Sequence, residues 1–262
     1  LLSEEEEVLS VEQLGGMTNQ NYLVKTTNKQ YIVKFFGKGT EKLINRQDEK
    51  YNLELLEDLD LDVKNFLFDI ESGIKVNEYI ESAVTLDSTS IKSKFEKIAP
   101  ILQTIHASGK ELRGEFAPFE EISKYESLIE GPIPYENYEA VRKDVFSLEK
   151  RLADLSVDRK SCHIDLVPEN FIESPQGRLY LIDWEYSSMN DPMWDLAALF
   201  LESEFTKQEE DDFLSYYESD KTPVSREKIR IYKILQDTIW SLWTVYKEAQ
   251  GADFGDYGVN RY

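Results

Sequence analysis

Little in this chain can form a cross-link or a soft-metal site. Its 262 residues include one cysteine, Cys162, and two histidines, His106 and His163. A lone thiol excludes an intrachain disulfide and a cysteine-rich zinc site. Long apolar runs are missing as well. The run nearest the motifs described below, Leu196 to Leu201, has six residues, against about 20 for a membrane-spanning helix. The opening LLSEEEEVLS has neither the basic start nor the apolar stretch of an export signal, so a cytoplasmic location is expected. Basic residues are outnumbered by acids, 30 to 51, for a formal charge of −21. A chain this acidic repels a phosphate backbone, so neither nucleic acid nor an anionic membrane surface is an expected partner. Solubility accounts for such a charge, and attraction of a small cation is the alternative that charge alone does not decide.

Apolar residues make up 41% of the chain and aromatics 12%, enough for a large packed core. No solenoid repeat or low-complexity linker interrupts it. The first third is β-rich. Asn21 to Thr26 and Gln30 to Phe36 are strand-like runs around the turn Thr27-Asn28-Lys29. Glu41 to Leu59 has helical spacing, with Leu43, Tyr51, Leu55 and Leu59 near one face. Further strands are expected at Asn65 to Asp69 and Ile74 to Tyr79. Helices dominate after Ser88, with segments expected at Ser90 to Ala107, Tyr135 to Leu155 and Ser225 to Ala249. Between them, His163 to Asp183 reads as loop, strand, turn (Pro175-Gln176-Gly177) and strand. The expectation is a bilobal α+β fold: a β-rich N-lobe over 1–76, a connector over 77–82 and a mainly helical C-lobe over 83–262.

The stretch CHIDLVPENF sets polar groups at fixed offsets among core-like residues. His163, Asp165 and Asn170 form H-x-D-x-x-x-x-N, and Asp183 follows eighteen residues after Asp165, at the end of LYLI. Two carboxylates and an amide suit phosphoryl transfer. Asn170 and Asp183 offer hard oxygens to Mg²⁺, which takes few protein ligands plus substrate phosphates. Asp165 is then free to accept the proton of an attacking hydroxyl. Turn capping explains H-x-D-x-x-x-x-N equally well by itself; the strand ending in Asp183 favours the metal reading.

Such a site needs a grip on phosphates. GGMTNQNY, Gly15 to Tyr22, opens a strand with two glycines that let backbone N–H groups come close to an anion. Lys34 interrupts YIVKFF on the face of Ile32 and Phe36, as a solvated strand residue or as a phosphate ligand. As a ligand it requires an acid to hold it, and the next helix offers Glu49 or Glu54.

These residues together resemble the protein-kinase-like fold in its small-molecule branch, and within it the choline/ethanolamine kinase family. The most specific stretches are GGMTNQNYLV, HIDLVPENF and IDWEYSSMNDPMWDLA. The chain is most similar to bacterial choline kinases that feed phosphocholine to cell-surface polymers. The resemblance implies ATP as donor, Mg²⁺ at Asn170 and Asp183, and Asp165 as catalytic base. It implies that Gly15, Gly16, Thr18, Asn19, Gln20 and Asn21 cover the phosphates, that Lys34 grips them, and that Glu49, in an Arg-x-x-Glu with Arg46, holds Lys34. Glu78, Tyr79 and Ile80 would carry the adenine. Asp195, in DPMWDLA, is implied as a structural acceptor for the catalytic loop. The chain departs from protein kinases in having Asp183-Trp184-Glu185 where they have Asp-Phe-Gly, and no protein-substrate signature follows.

Choline has a quaternary ammonium with no N–H, so aromatic faces and carboxylates must recognise it. The resemblance assigns Trp240, Trp243 and Tyr257 to the walls of that pocket, Glu202 to its charge balance, and Glu185 to the same substrate-binding set. Tryptophans three apart on a helix are also ordinary core residues. Ethanolamine or an aminoglycoside is the rival acceptor, favouring acids over aromatics through its N–H donors. A pseudokinase is the rival outside catalysis. Cys162 reads as a buried thiol or a redox sensor, and His106 as a structural histidine near a helix C-terminus.

Overall fold

The computed structural model describes residues 6–15, 19–37 and 39–262. Its first part is a five-stranded antiparallel sheet of β1 (Val8–Leu14), β2 (Gln20–Thr26), β3 (Gln30–Phe35), β4 (Asn65–Asp69) and β5 (Ile74–Glu78), in the order β1-β2-β3-β5-β4. Thr26 closes the β2–β3 hairpin: its N–H donates to the Lys29 carbonyl at 2.9 Å, and its hydroxyl accepts from Lys29 N–H at 3.0 Å. The strand β1 was not anticipated. Six of its seven residues are exposed, so no apolar alternation marks it.

Helix α1 (Arg46–Leu56) crosses beside this sheet, and Asn45 caps it by accepting from Gln47 N–H and Asp48 N–H. The expected single helix from Glu41 to Leu59 is instead α1 between two 3-10 turns, Thr40–Lys42 and Glu57–Leu59. Its buried face also differs. Tyr51, Leu55 and Leu59 are half-buried, whereas Arg46, Glu49, Asn52 and Leu56 are buried. A polar stripe faces inward because the site lies there. Asn52 ties α1 to the second part of the molecule. Its amide donates to the carbonyls of Arg113 at 3.1 Å and Ser187 at 2.9 Å, and its Oδ1 accepts from Arg113 N–H at 2.7 Å.

Beyond β5 the chain enters β6 (Val84–Thr85) and then the helices α2 (Phe95–His106), α3 (Pro118–Leu128) and α4 (Tyr138–Asp154). The hairpin β8 (Phe171–Glu173) and β9 (Leu179–Leu181) pairs with β6, while β7 (Lys160–Cys162) pairs with β10 (Ser188–Asn190). Helices α5 (Pro192–Glu202), α6 (Lys207–Tyr217), α7 (Arg226–Glu248) and α8 (Tyr257–Arg261) complete the fold. The long α7 packs against α3, α5 and α8, and α2 packs against α6. Trp184, Trp194, Phe171, Phe200, Phe213 and Leu102 lie in the core around them.

Three expected helices begin or end differently. Ser90 to Ala107 starts with the 3-10 turn Ser90–Ser93, α4 begins at Tyr138, and Ser225 is the cap of α7, accepting from Lys228 N–H. Helix α5 is buried from Pro192 through Phe200, so it has no polar face to set a helical period. Among the described residues, no helix is long and apolar enough to cross a membrane.

Candidate active site

Two side-chain-bearing residues in the left-handed region frame the site: Ile164, with φ 76°, and Asp183, with φ 66°. Such backbone costs about 1–3 kcal/mol and persists only where neighbours over-determine it. Asp195 on α5, fully buried, supplies that constraint. Its Oδ2 accepts from His163 N–H and its Oδ1 from Ile164 N–H, both at 2.8 Å, while Trp194 Nε1 donates to the Ile164 carbonyl at 3.0 Å. His106 backs the carboxylate, with Nε2 3.1 Å from Asp195 Oδ2 and Nδ1 2.7 Å from the Tyr217 hydroxyl. His163 is buried against Trp184, with ring centroids 4.7 Å apart, and burial lowers its pKa. It is therefore neutral, and Nε2 donates to the Ile182 carbonyl at 3.0 Å. Cys162 lies beneath, and burial raises its thiol well above the ordinary value, which makes it an inert core residue.

Asp165 emerges half-buried from this pinned loop. Burial, then the negative charges of Asp183, Glu202 and Glu185, raise its carboxyl well above the usual range. Asn170, in the 3-10 turn Pro168–Asn170, donates its amide to the Asp165 carbonyl at 2.8 Å, leaving its Oδ1 for a cation. Asp183 lies two residues beyond β9, and its Oδ1 is 2.6 Å from Lys34 Nζ. Burial opposes ionisation of Asp183, but Lys34 and Lys75 outweigh it and hold the carboxyl below its usual value.

The acid expected to hold Lys34 does something else. Glu49 Oε2 binds Arg46 Nη1 at 2.6 Å and its Oε1 binds Lys75 Nζ at 3.1 Å, while Lys34 is paired with Asp183. Lys75 stands directly across from Lys34 in the β3–β5 register, so one face carries both ammonium groups. The hint was there in GIKVNEY, a second lysine inside a strand-like run. Arg46 continues the chain of contacts to Glu185 Oε2 at 2.9 Å, and Asn19 donates to the same oxygen at 2.8 Å. Asn19 Oδ1 accepts from Gly37 N–H at 3.2 Å and Arg46 Nη2 at 3.3 Å. Asn19 and Glu185 thus join the sheet to the loop after Asp183, with Glu185 Oε2 bound to Arg46.

The rest of the anticipated phosphate loop is divided. Asn21 Nδ2 donates to the Gly15 carbonyl at 3.0 Å. Gln20 faces the outer side of the sheet with Tyr22 and Phe35, because strand alternation sends it opposite to Asn21. Gly16 and Thr18 lie outside the described residues. In the connector, Glu78 N–H donates to Lys64 at 2.8 Å, Ile80 accepts from Ala83 N–H at 3.2 Å, and Tyr79 and Ile80 are half-buried.

On the far side of Asp165, Trp240 and Trp243 are 8% and 6% exposed, with rings perpendicular at 6.4 Å. Phe254 packs on Trp243 at 4.8 Å, and Tyr186 meets Trp240 edge-on at 6.0 Å. Tyr257 donates to Glu202 Oε1 at 3.4 Å, and Arg261 Nη1 reaches the same oxygen at 2.8 Å. Tyr186 and Arg261 were not anticipated. Tyr186 is signalled only by its place beside Glu185; nothing local marks Arg261.

Residues 11–231 match the profile of the family described as choline/ethanolamine kinase. The chain belongs to the choline/ethanolamine kinase family. Its members are phosphotransferases with an alcohol acceptor. Protein LicA of Haemophilus influenzae is 30% identical over 259 residues, covering 95% of this chain and 76% of that protein. The crystal structure of choline kinase LicA from Streptococcus pneumoniae is 89% identical, with a TM-score of 0.96, covering 98% of this chain and 91% of that one. A structure of LicA in complex with AMP is also 89% identical, with a TM-score of 0.95, covering 100% and 91%. The expected kinase-like fold is therefore the observed one. In this choline/ethanolamine kinase the donor set fits a divalent cation: the Asn170 amide is turned so that its oxygen remains available, and Asp183 adds an anionic oxygen.

Proposed function

We propose that this chain is an ATP-dependent choline kinase, transferring the γ-phosphoryl group to the hydroxyl of choline. The carrying observation is the position of Asp165. Its backbone carbonyl holds the Asn170 amide on one side, and its carboxyl feels the charges of both Asp183 and Glu202. A base placed between a metal-type pair and an aromatic, acid-lined recess suits transfer from a nucleotide to a small cationic alcohol. The 89% identity to a structure of choline kinase supports the same acceptor.

In this reading Asp165 orients the choline hydroxyl and accepts its proton. Lys34 exchanges its contact with Asp183 for a phosphate oxygen, while Arg46 stays paired with Glu49 and Glu185 and Lys75 with Glu49. Asn170 and Asp183 would hold Mg²⁺, which when bound neutralises phosphate charge. Trp240, Trp243, Tyr186 and Tyr257 offer ring faces to the trimethylammonium group, each favourable contact contributing about 0.5–2 kcal/mol. The product, phosphocholine, suits a role in supplying cell-surface polymers, with the enzyme acting in the cytoplasm.

A coupled assay of ADP release with choline, ethanolamine and kanamycin tests the proposal. Turnover is expected with choline well above the other two. Preference for ethanolamine or kanamycin, or nucleotide binding with no turnover, would overturn it.

A further inference from the structure

Around the acceptor acid the structure gathers two carboxylates and one guanidinium, drawn from three helices. Arg261 of α8 lies 2.8 Å from Glu202 at the end of α5, and its Nε lies 3.0 Å from Asp237 Oδ1 on α7. The arginine side chain is only 11% exposed, yet its Nε and Nη2 make no aligned hydrogen bond. The contact with Asp237 is thus one of charge more than of hydrogen-bond geometry. The other charges nearby do not cancel the sum. Lys233, paired with Glu210 at 2.5 Å, also acts on Asp237, and Glu169 contributes a further negative charge toward Glu202. Burial raises the pKa of both Glu202 and Asp237, and Arg261 opposes the rise in each.

A quaternary ammonium has no N–H and cannot replace Arg261 as a donor to Glu202. The guanidinium therefore has a reason to stay when the acceptor binds, and while it stays it cancels one carboxylate. Without Asp237, Glu202 and Arg261 would form a pair that is neutral in itself. We infer that Asp237 is a specificity residue for acceptor charge: by balancing Arg261, it leaves the charge of Glu202 uncompensated and available to a cationic acceptor. The inference rests on the reading of Glu202 as the acceptor acid.

The test compares choline with its uncharged carbon isostere, in which a tert-butyl group replaces trimethylammonium. Dissociation constants for both are measured by calorimetry on the full chain carrying Asp237→Asn, Arg261→Gln or Glu202→Gln. Asp237→Asn should weaken choline about fivefold or more while leaving the isostere within about twofold, as expected of a nearby partly screened charge. Arg261→Gln should move the choline-to-isostere ratio the other way, which keeps the idea testable if one variant folds poorly. Equal loss for both ligands, or an unchanged ratio in Asp237→Asn and Arg261→Gln, would overturn it. Glu202→Gln judges the underlying reading separately. If it leaves the ratio unchanged, Glu202 is not the acceptor acid; if it alone shifts the ratio, only the role of Asp237 is refuted.

Discussion

Lys34 Nζ and Asp183 Oδ1 meet at 2.6 Å across 149 residues of sequence, joining the third strand to the loop that closes the catalytic hairpin. Burial works against the ammonium charge, but Asp183 and Glu185 more than compensate and raise its pKa, so it stays charged. Lys34→Met should cut kcat/KM for ATP by about 100-fold or more. A melt in the same buffer should show a folded protein, since Lys75, bound to Glu49, still exerts its positive charge on Asp183. Wild-type kinetics in a folded Lys34→Met protein would remove Lys34 from the phosphate site.

Asp195 accepts both N–H groups that hold Ile164 in its left-handed conformation. In Asp195→Asn one of those donors faces an amide NH₂, and the buried loss is about 1–3 kcal/mol. Hydrogen exchange at His163 and Ile164 should speed up, and turnover should fall with little change in either KM. Unchanged exchange there would mean that the loop is held by other contacts.

Gly258 lets α8 lie close against α7. A Cβ at this position would come 2.7 Å from the Tyr135 hydroxyl and 2.8 Å from Thr244 Cβ. Gly258→Ala should push α8 outward, taking Tyr257 and Arg261 with it, and raise KM for choline by about fivefold or more with KM for ATP unaltered. A parallel change in both constants would point to general loosening instead.

Asp62 is a half-buried acid whose pKa is pushed up to about 7, chiefly by burial, against the pull of Lys75 and its bond from Val63 N–H. With the folded value above the unfolded one, its contribution to stability is complete below about pH 4 and is lost as pH rises through about 7. Between about pH 5 and pH 8.5, wild-type Tm should therefore fall relative to that of Asp62→Asn, by about 5 °C. Parallel curves for the two proteins would refute this.

What could be read from the chain beforehand follows from the range over which each feature acts. Asp165, Asn170 and Asp183 were legible because a loop and a hairpin separate them, and local spacing nearly determines where they meet. The Glu49 pairing was not. Apolar periodicity picks out Tyr51 and Leu55 on α1, whereas the buried stripe includes Arg46, Glu49 and Asn52, chosen by partners on other elements. The exposed β1 and the largely buried α5 escaped for opposite reasons: one is exposed along nearly its whole length, the other is buried all round from Pro192 through Phe200. Arg261 and Asp237 meet across two helices, so no short window contains their relationship.

In protein kinases the position of the helix behind the phosphate lysine is a point of control. Here the fully buried amide of Asn52 rivets that helix to main-chain atoms on two segments across the cleft. A helix fastened in this way is held to the second part of the molecule as well as to its own sheet. Any swing of α1 would first have to break all three of these contacts.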